Sequence, residues 1–78
     1  MTDNVNSPDH YASNTIECIN YIYDTLGVDG FVDYCRGNIM KYNHRVLDKN
    51  KCPVEDFKKM QKYAEFAINA LEGKKPSN

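Results

Sequence analysis

The chain has 78 residues, with 10 Lys and Arg against 11 Asp and Glu, and a formal net charge of −1 at pH 7. That length makes one small domain and not two, and a domain of this size buries only about 60% of the surface its unfolded chain exposes, so stability is modest or shared with a partner. Near-balanced charge with 12% aromatic residues argues against a disordered chain or a nucleic-acid-binding tail.

The distribution of charge says more than its total. Residues 1–35 carry six carboxylates (Asp3, Asp9, Glu17, Asp24, Asp29, Asp33) and no Lys or Arg, whereas residues 36–78 carry all ten basic side chains against five acidic ones. Opposed charge in two parts of one chain favours an internal contact or self-association. The three cysteines, Cys18, Cys35 and Cys52, are an odd number with no CxxC pair. With no signal peptide and no run of 18 apolar residues, they point to a reducing, cytosolic setting, with Cys18 and Cys35 buried on apolar helix faces.

In chain order, residues 1–7 read as a polar tail and 8–73 as a single helical domain. Asn14 as N-cap and Glu17 three residues on approximate a capping box. They open a first helix over about 15–26 whose apolar stripe is Ile16, Ile19, Ile22, Tyr23 and Leu26, ended by Gly27. Asp29 caps a second helix over about 30–47, with Val28, Phe31, Cys35, Ile39, Tyr42 and Val46 turned to the core. Gly37 interrupts it. A helix-interior glycine costs about 1 kcal/mol relative to Ala, so it implies close packing or close approach of a ligand. The turn "DKNK" leads to Pro53 at the first position of a third helix over about 53–72, with Glu55 and Asp56 in its first turn. Its stripe is Phe57, Met60, Tyr63, Ala64, Ala67, Ile68 and Leu71, and residues 74–78 form a polar tail. The expected fold is all-α, a compact three-helix domain assembled into a homo-oligomer.

On the second helix, Asn38, Lys41 and Arg45 recur at three- and four-residue spacing, so they share a face, flanked by Tyr42 and His44. Two cations one turn apart call for an anion: a carboxylate of this chain, with Glu17 and Asp56 the candidates, or a ligand phosphate. If the second and third helices pack antiparallel, Lys59 and Tyr63 join the same groove. Six tyrosines exceed what so small a core needs and suit stacking on a base or lining an interface between copies. His10 and His44 are the only histidines, without zinc-like spacing, so no metal site is expected. No glycine-rich phosphate loop, dinucleotide fingerprint or serine–histidine arrangement is present.

The segments "PDHY", "ECI", "GNIMKYNHR" and "EDFKKMQKYAEFAI" resemble the SaV-like family of small tailed-phage proteins, over about residues 8–71. Phe57, where Leu is usual, and Met60, where a small residue is usual, depart from its pattern. The best characterised relative is a larger podovirus nucleoside monophosphate kinase that lacks a phosphate loop and forms oligomers. The resemblance implies a shared polar set of His10, Tyr11, Glu17, Asn38, Lys41, Arg45, Asp56 and Lys59, and residence in the host cytoplasm.

Residues and resemblance together give a leading expectation: a homo-oligomeric phage protein that binds or sequesters a phosphate-bearing nucleotide or nucleotide signal, cyclic nucleotides included, to counter host defence. Lys41, Arg45, Lys59 and His10 would hold phosphate, Asn38 would read an edge, and Tyr11, Tyr42 or Tyr63 would stack. Binding is favoured over catalysis, and no cofactor is expected. The first alternative is a kinase of nucleoside monophosphates using His10, Glu17, Lys41, Arg45 and Asp56, with magnesium. The second is a protein that occludes a host factor. The net acidic chain and its short basic cluster argue against nucleic acid, and nothing suggests a membrane.

Overall fold

The structure is a computed structural model, and it describes residues 17–48 and 52–77. Within them the chain forms two helical elements, α1 (Cys18–Arg45) and α2 (Pro53–Leu71), both well populated with helix-forming residues. The all-α expectation holds, but the three-helix architecture does not: the first and second expected helices run together as α1, and Asp29 lies inside that helix rather than capping it. The expected Asn14 cap and the segment before it lie outside the described residues.

The reason for the merger is Gly27. Its backbone, at φ 78° and ψ 175°, is the one non-helical point inside α1, in a region that only glycine enters freely. One residue turns the chain and helical hydrogen bonding resumes at once, so no loop separates the arms. The first arm thereby returns Ile19, Ile22 and Tyr23 to the hydrophobic centre.

That centre is small. Phe31, Cys35 and Ala70 are fully buried, with Ile19, Ile22, Tyr23, Tyr34, Tyr63, Phe66 and Ala67 packed around them. Tyr23 meets Phe31 edge to face at 5.5 Å and 85°, a geometry that aligns ring edge with ring face. Of the two helix-borne cysteines expected inside, only Cys35 is buried; Cys18, in the first turn of α1, is exposed, as is Cys52. Burial pushes the Cys35 thiol from 9.0 up to about 11.

The α1–α2 pair is antiparallel, as contacts of Arg45 with Asp56 and of Tyr42 and Tyr34 with Tyr63 show. The buried face of α2 differs from the expected one. Asp56 and Ala70 are buried and Tyr63, Phe66 and Ala67 half-buried, while Phe57, Ile68 and Leu71 are 54%, 52% and 65% exposed. The rings of α1 are met by rings and small residues of α2, which fill the gap between the helices better than branched aliphatics would. The aliphatic stripe is left on a second side.

Gly73 closes α2. At φ 82° it donates its N–H to the Ala70 carbonyl, and Lys74 donates to that of Asn69 at 2.8 Å, the paired bonds of a Schellman ending. The chain beyond is held: the Asn20 side-chain amide both donates to the Ser77 carbonyl (3.2 Å) and accepts from its N–H (3.0 Å). Asn69 donates to the Pro76 carbonyl, and Pro76 is buried.

Two glycines inside α1 give opposite expectations. A Cβ at Gly27 would meet nothing within 4 Å, so Gly27→Ala costs only backbone strain, about 1–3 kcal/mol. Gly37 is helical, and a Cβ there would also meet open space; the close packing expected of it is not found, and Gly37→Ala gains about 0.5–1 kcal/mol. Urea denaturation of the two variants checks both signs. Thiol counting with a disulfide reagent at pH 8 gives two fast cysteines, Cys18 and Cys52, with Cys35 reacting only on unfolding.

Candidate functional site

The last two turns of α1 and the first three of α2 face each other across the antiparallel pair. There, three cations gather around one ring: Lys41 Nζ lies 4.7 Å from the Tyr42 centroid, Arg45 Cζ 5.5 Å and Lys59 Nζ 5.5 Å. A tyrosine ring offsets part of their mutual repulsion, each contact contributing about 0.5–2 kcal/mol. Tyr42 is itself placed by Tyr63, nearly parallel to it at 6.1 Å and 26°. Tyr63 meets Tyr34 (6.0 Å, 70°) and Phe66 (5.6 Å, 88°) more nearly edge-on.

One carboxylate enters the cluster. Asp56, in the first turn of α2 where the helix dipole favours a negative charge, has a side chain only 3% exposed, and its Oδ1 lies 3.7 Å from Arg45 Nε. That distance is an ion pair and too long for a hydrogen bond. Among the described residues, Arg45 Nε and Asp56 Oδ2 are both buried without a hydrogen-bond partner, each a cost of about 1–3 kcal/mol. Arg45 is thus drawn toward Asp56 without being fully satisfied by it, and its side chain remains 41% exposed. Lys41 and Lys59 are exposed. Against these three cations, Asp56 is the carboxylate that the described residues bring into contact, at the end of the hairpin where α1 leads into α2.

The structure therefore brings together Lys41, Tyr42, Arg45, Asp56, Lys59 and Tyr63. Of the two carboxylates expected to face Arg45, the one it brings is Asp56; Glu17 is an exposed residue at the start of α1. Asn38 is half-buried on the same face, and its amide donates back to the Tyr34 carbonyl at 3.0 Å, leaving the side-chain oxygen as the group it can offer. His10 and Tyr11 lie outside the described residues. Two participants escaped the sequence reading: Tyr34, which supports Tyr63, and Phe66, 5.5 Å from Lys62 Nζ. The eight-residue spacing of Tyr34 and Tyr42, which puts both on one helix face, was the available signal.

The chain matches, over residues 5–65, the family described as DUF3310, proteins of unknown function. It belongs to the DUF3310 family. The matched segment takes in the whole cationic cluster and its aromatic support as far as Tyr63, while the C-terminal part of α2 from Phe66 lies beyond it. No curated protein and no solved structure matches the chain.

Burial and the hydrogen bond with Tyr34 push the Tyr63 phenol from 10.0 up to about 12. Phenol and thiol are neutral when protonated, so folding raises both values by favouring the protonated forms. The stability this contributes is complete below about pH 8, where neither group ionises appreciably even in the unfolded chain, and is lost as pH rises from 9.0 to about 11 for the thiol and from 10.0 to about 12 for the phenol. Denaturation midpoints followed upward from about pH 7 are expected to stay level to about pH 8 and then fall, and Tyr63→Phe, which removes one titrating group, makes that fall shallower.

Proposed function

We propose that this DUF3310 protein binds a phosphate-bearing nucleotide or nucleotide-derived signal at the Tyr42 cluster. The observation that carries the proposal is the convergence of Lys41, Arg45 and Lys59 around one aromatic ring, with the buried Asp56 as the carboxylate that faces them among the described residues. Such a site is short of negative charge. A phosphate supplies it, with charge-assisted hydrogen bonds from the lysines and from the exposed part of Arg45. Tyr42, partly exposed, offers a surface against which a base can lie, and the free oxygen of Asn38 can accept from an amino group.

Together with the resemblance to small phage proteins, this supports a role in the host cytoplasm as a nucleotide-sequestering, defence-countering protein rather than a kinase. Asp56, which a kinase would use to orient an acceptor or a metal, is 2% exposed and is aimed at Arg45. A second reading draws on the same pair. Because Asp56 already takes up part of Arg45's charge, the exposed lysines can serve as a docking patch for an acidic host protein.

Titration calorimetry against nucleoside monophosphates, cyclic mononucleotides and cyclic dinucleotides decides. Saturable heat is expected with one class, weakened about tenfold or more by Lys41→Ala, Arg45→Ala or Lys59→Ala and reduced as salt rises. Gly37→Ala, one turn before Lys41, leaves binding intact unless ligand lies against the helix backbone there. Absence of heat with every nucleotide defeats the proposal in favour of the protein-docking reading. Phosphate transfer from a nucleoside triphosphate to a monophosphate, lost in Lys41→Ala, replaces sequestration with catalysis.

A further inference from the structure

The apolar side chains that α2 leaves outside the core are not scattered. Phe57, Met60, Ala64, Ile68 and Leu71 follow one another at intervals of three, four, four and three residues, one continuous helical stripe. The order is symmetric about Ala64, with Met60 and Ile68 four residues to either side and Phe57 and Leu71 seven. Phe57, Ile68 and Leu71 are more than half exposed, and Met60 and Ala64 half-buried. Beside them, along α1 and its C-terminal cap, runs a second stripe, Val32, Ile39 and Val46, each half-buried and again symmetric, with seven residues either side of Ile39.

The two stripes share a side and a centre. Rotation along each helix away from the packed row, Phe31, Tyr34 and Tyr42 on α1 and Tyr63, Phe66 and Ala70 on α2, carries both stripes to the same side of the antiparallel pair. The residue numbers in contact total 101 for Arg45 with Asp56 and 105 for Tyr42 with Tyr63. They total 103 for Ile39 with Ala64, so these two lie level across the hairpin. A face with this palindrome is complementary to itself under a two-fold rotation about an axis crossing both helices at Ile39 and Ala64.

We propose that this face is covered by a second copy of the chain, two hairpins stacking as an antiparallel, two-fold four-helix layer. Phe57 then lies opposite Leu71 of the other copy, Met60 opposite Ile68, and Val32 opposite Val46. The small side chain of Ala64 sits on the axis, where helices approach most closely. Lys41, Arg45 and Lys59 lie on the opposite side of the hairpin, so the dimer leaves both cationic clusters open. The dimer does not depend on the ligand-binding proposal.

Sedimentation equilibrium of the full chain is expected to give twice the 9.0 kDa chain mass. Ile68→Glu and Ala64→Glu raise the dissociation constant on the order of thirtyfold or more, with helical circular dichroism retained. In a background of Cys18→Ser and Cys52→Ser, Ala64→Cys forms a disulfide-linked dimer on mild oxidation and the background alone does not. A monomer at about 0.1 mM, where even a weak specific dimer is populated, overturns the proposal. So does a dimer that survives Ile68→Glu and does not cross-link through position 64.

Discussion

The ring of Tyr63 stands between the core and the cationic cluster. On one side it packs with Tyr34 and Phe66 near the fully buried Phe31 and Cys35; on the other it supports Tyr42, around which Lys41, Arg45 and Lys59 gather. With so few wholly buried side chains, the fold has little packing to spare. The aromatic contacts that close the helix pair are therefore the same ones that hold the site in shape. A substitution loosening Tyr63 would be felt by both, through lost ring packing and through the position of Tyr42.

Much of this was legible in the residues. Pro53 and Gly73 bounded α2 almost to the residue because each acts locally, the proline by fixing φ and lacking an N–H, the glycine by admitting a left-handed ending. The meeting of Lys41, Arg45, Lys59 and Tyr63 followed from helical spacing and antiparallel packing alone, and Asp56 was one of two carboxylates expected near Arg45. Gly27 is a break in the helical pattern, but residue type does not show whether a break is followed by a loop or by an immediate resumption of helix. The single turn at Gly27 joins the two expected helices, giving two helical elements rather than three. Which side of α2 faces inward was misread for a related reason. The helix carries two apolar sides, and hydrophobic periodicity cannot rank them; the choice is made by the rings of α1, which prefer Tyr63 and Phe66 with small alanines over Phe57, Ile68 and Leu71.

The helix pair thus presents chemically opposite sides. One gathers cations over tyrosine; the other lines up apolar side chains, Phe57, Ile68 and Leu71 exposed among them, spaced alike in both directions from Ala64. Separating them in this way lets association and ligand capture be altered independently, because no side chain serves both. The segregation of acidic and basic residues along the sequence takes on a narrower meaning as well. The basic part supplies the cluster, and Asp56, from that same part rather than from the acidic third, provides its internal counter-charge.

The clasp between Asn20 and Ser77 joins positions 57 residues apart in sequence. The α1–α2 pair closes through a connection of a few residues, whereas the clasp requires the first arm to have turned at Gly27 and the chain beyond Gly73 to have folded back. Contacts that close so long a stretch of chain form late, after shorter closures have reduced the entropy still to be lost. A late contact is broken early on the way out. Strengthening this clasp therefore acts chiefly on how slowly the native chain opens, and little on how fast it forms.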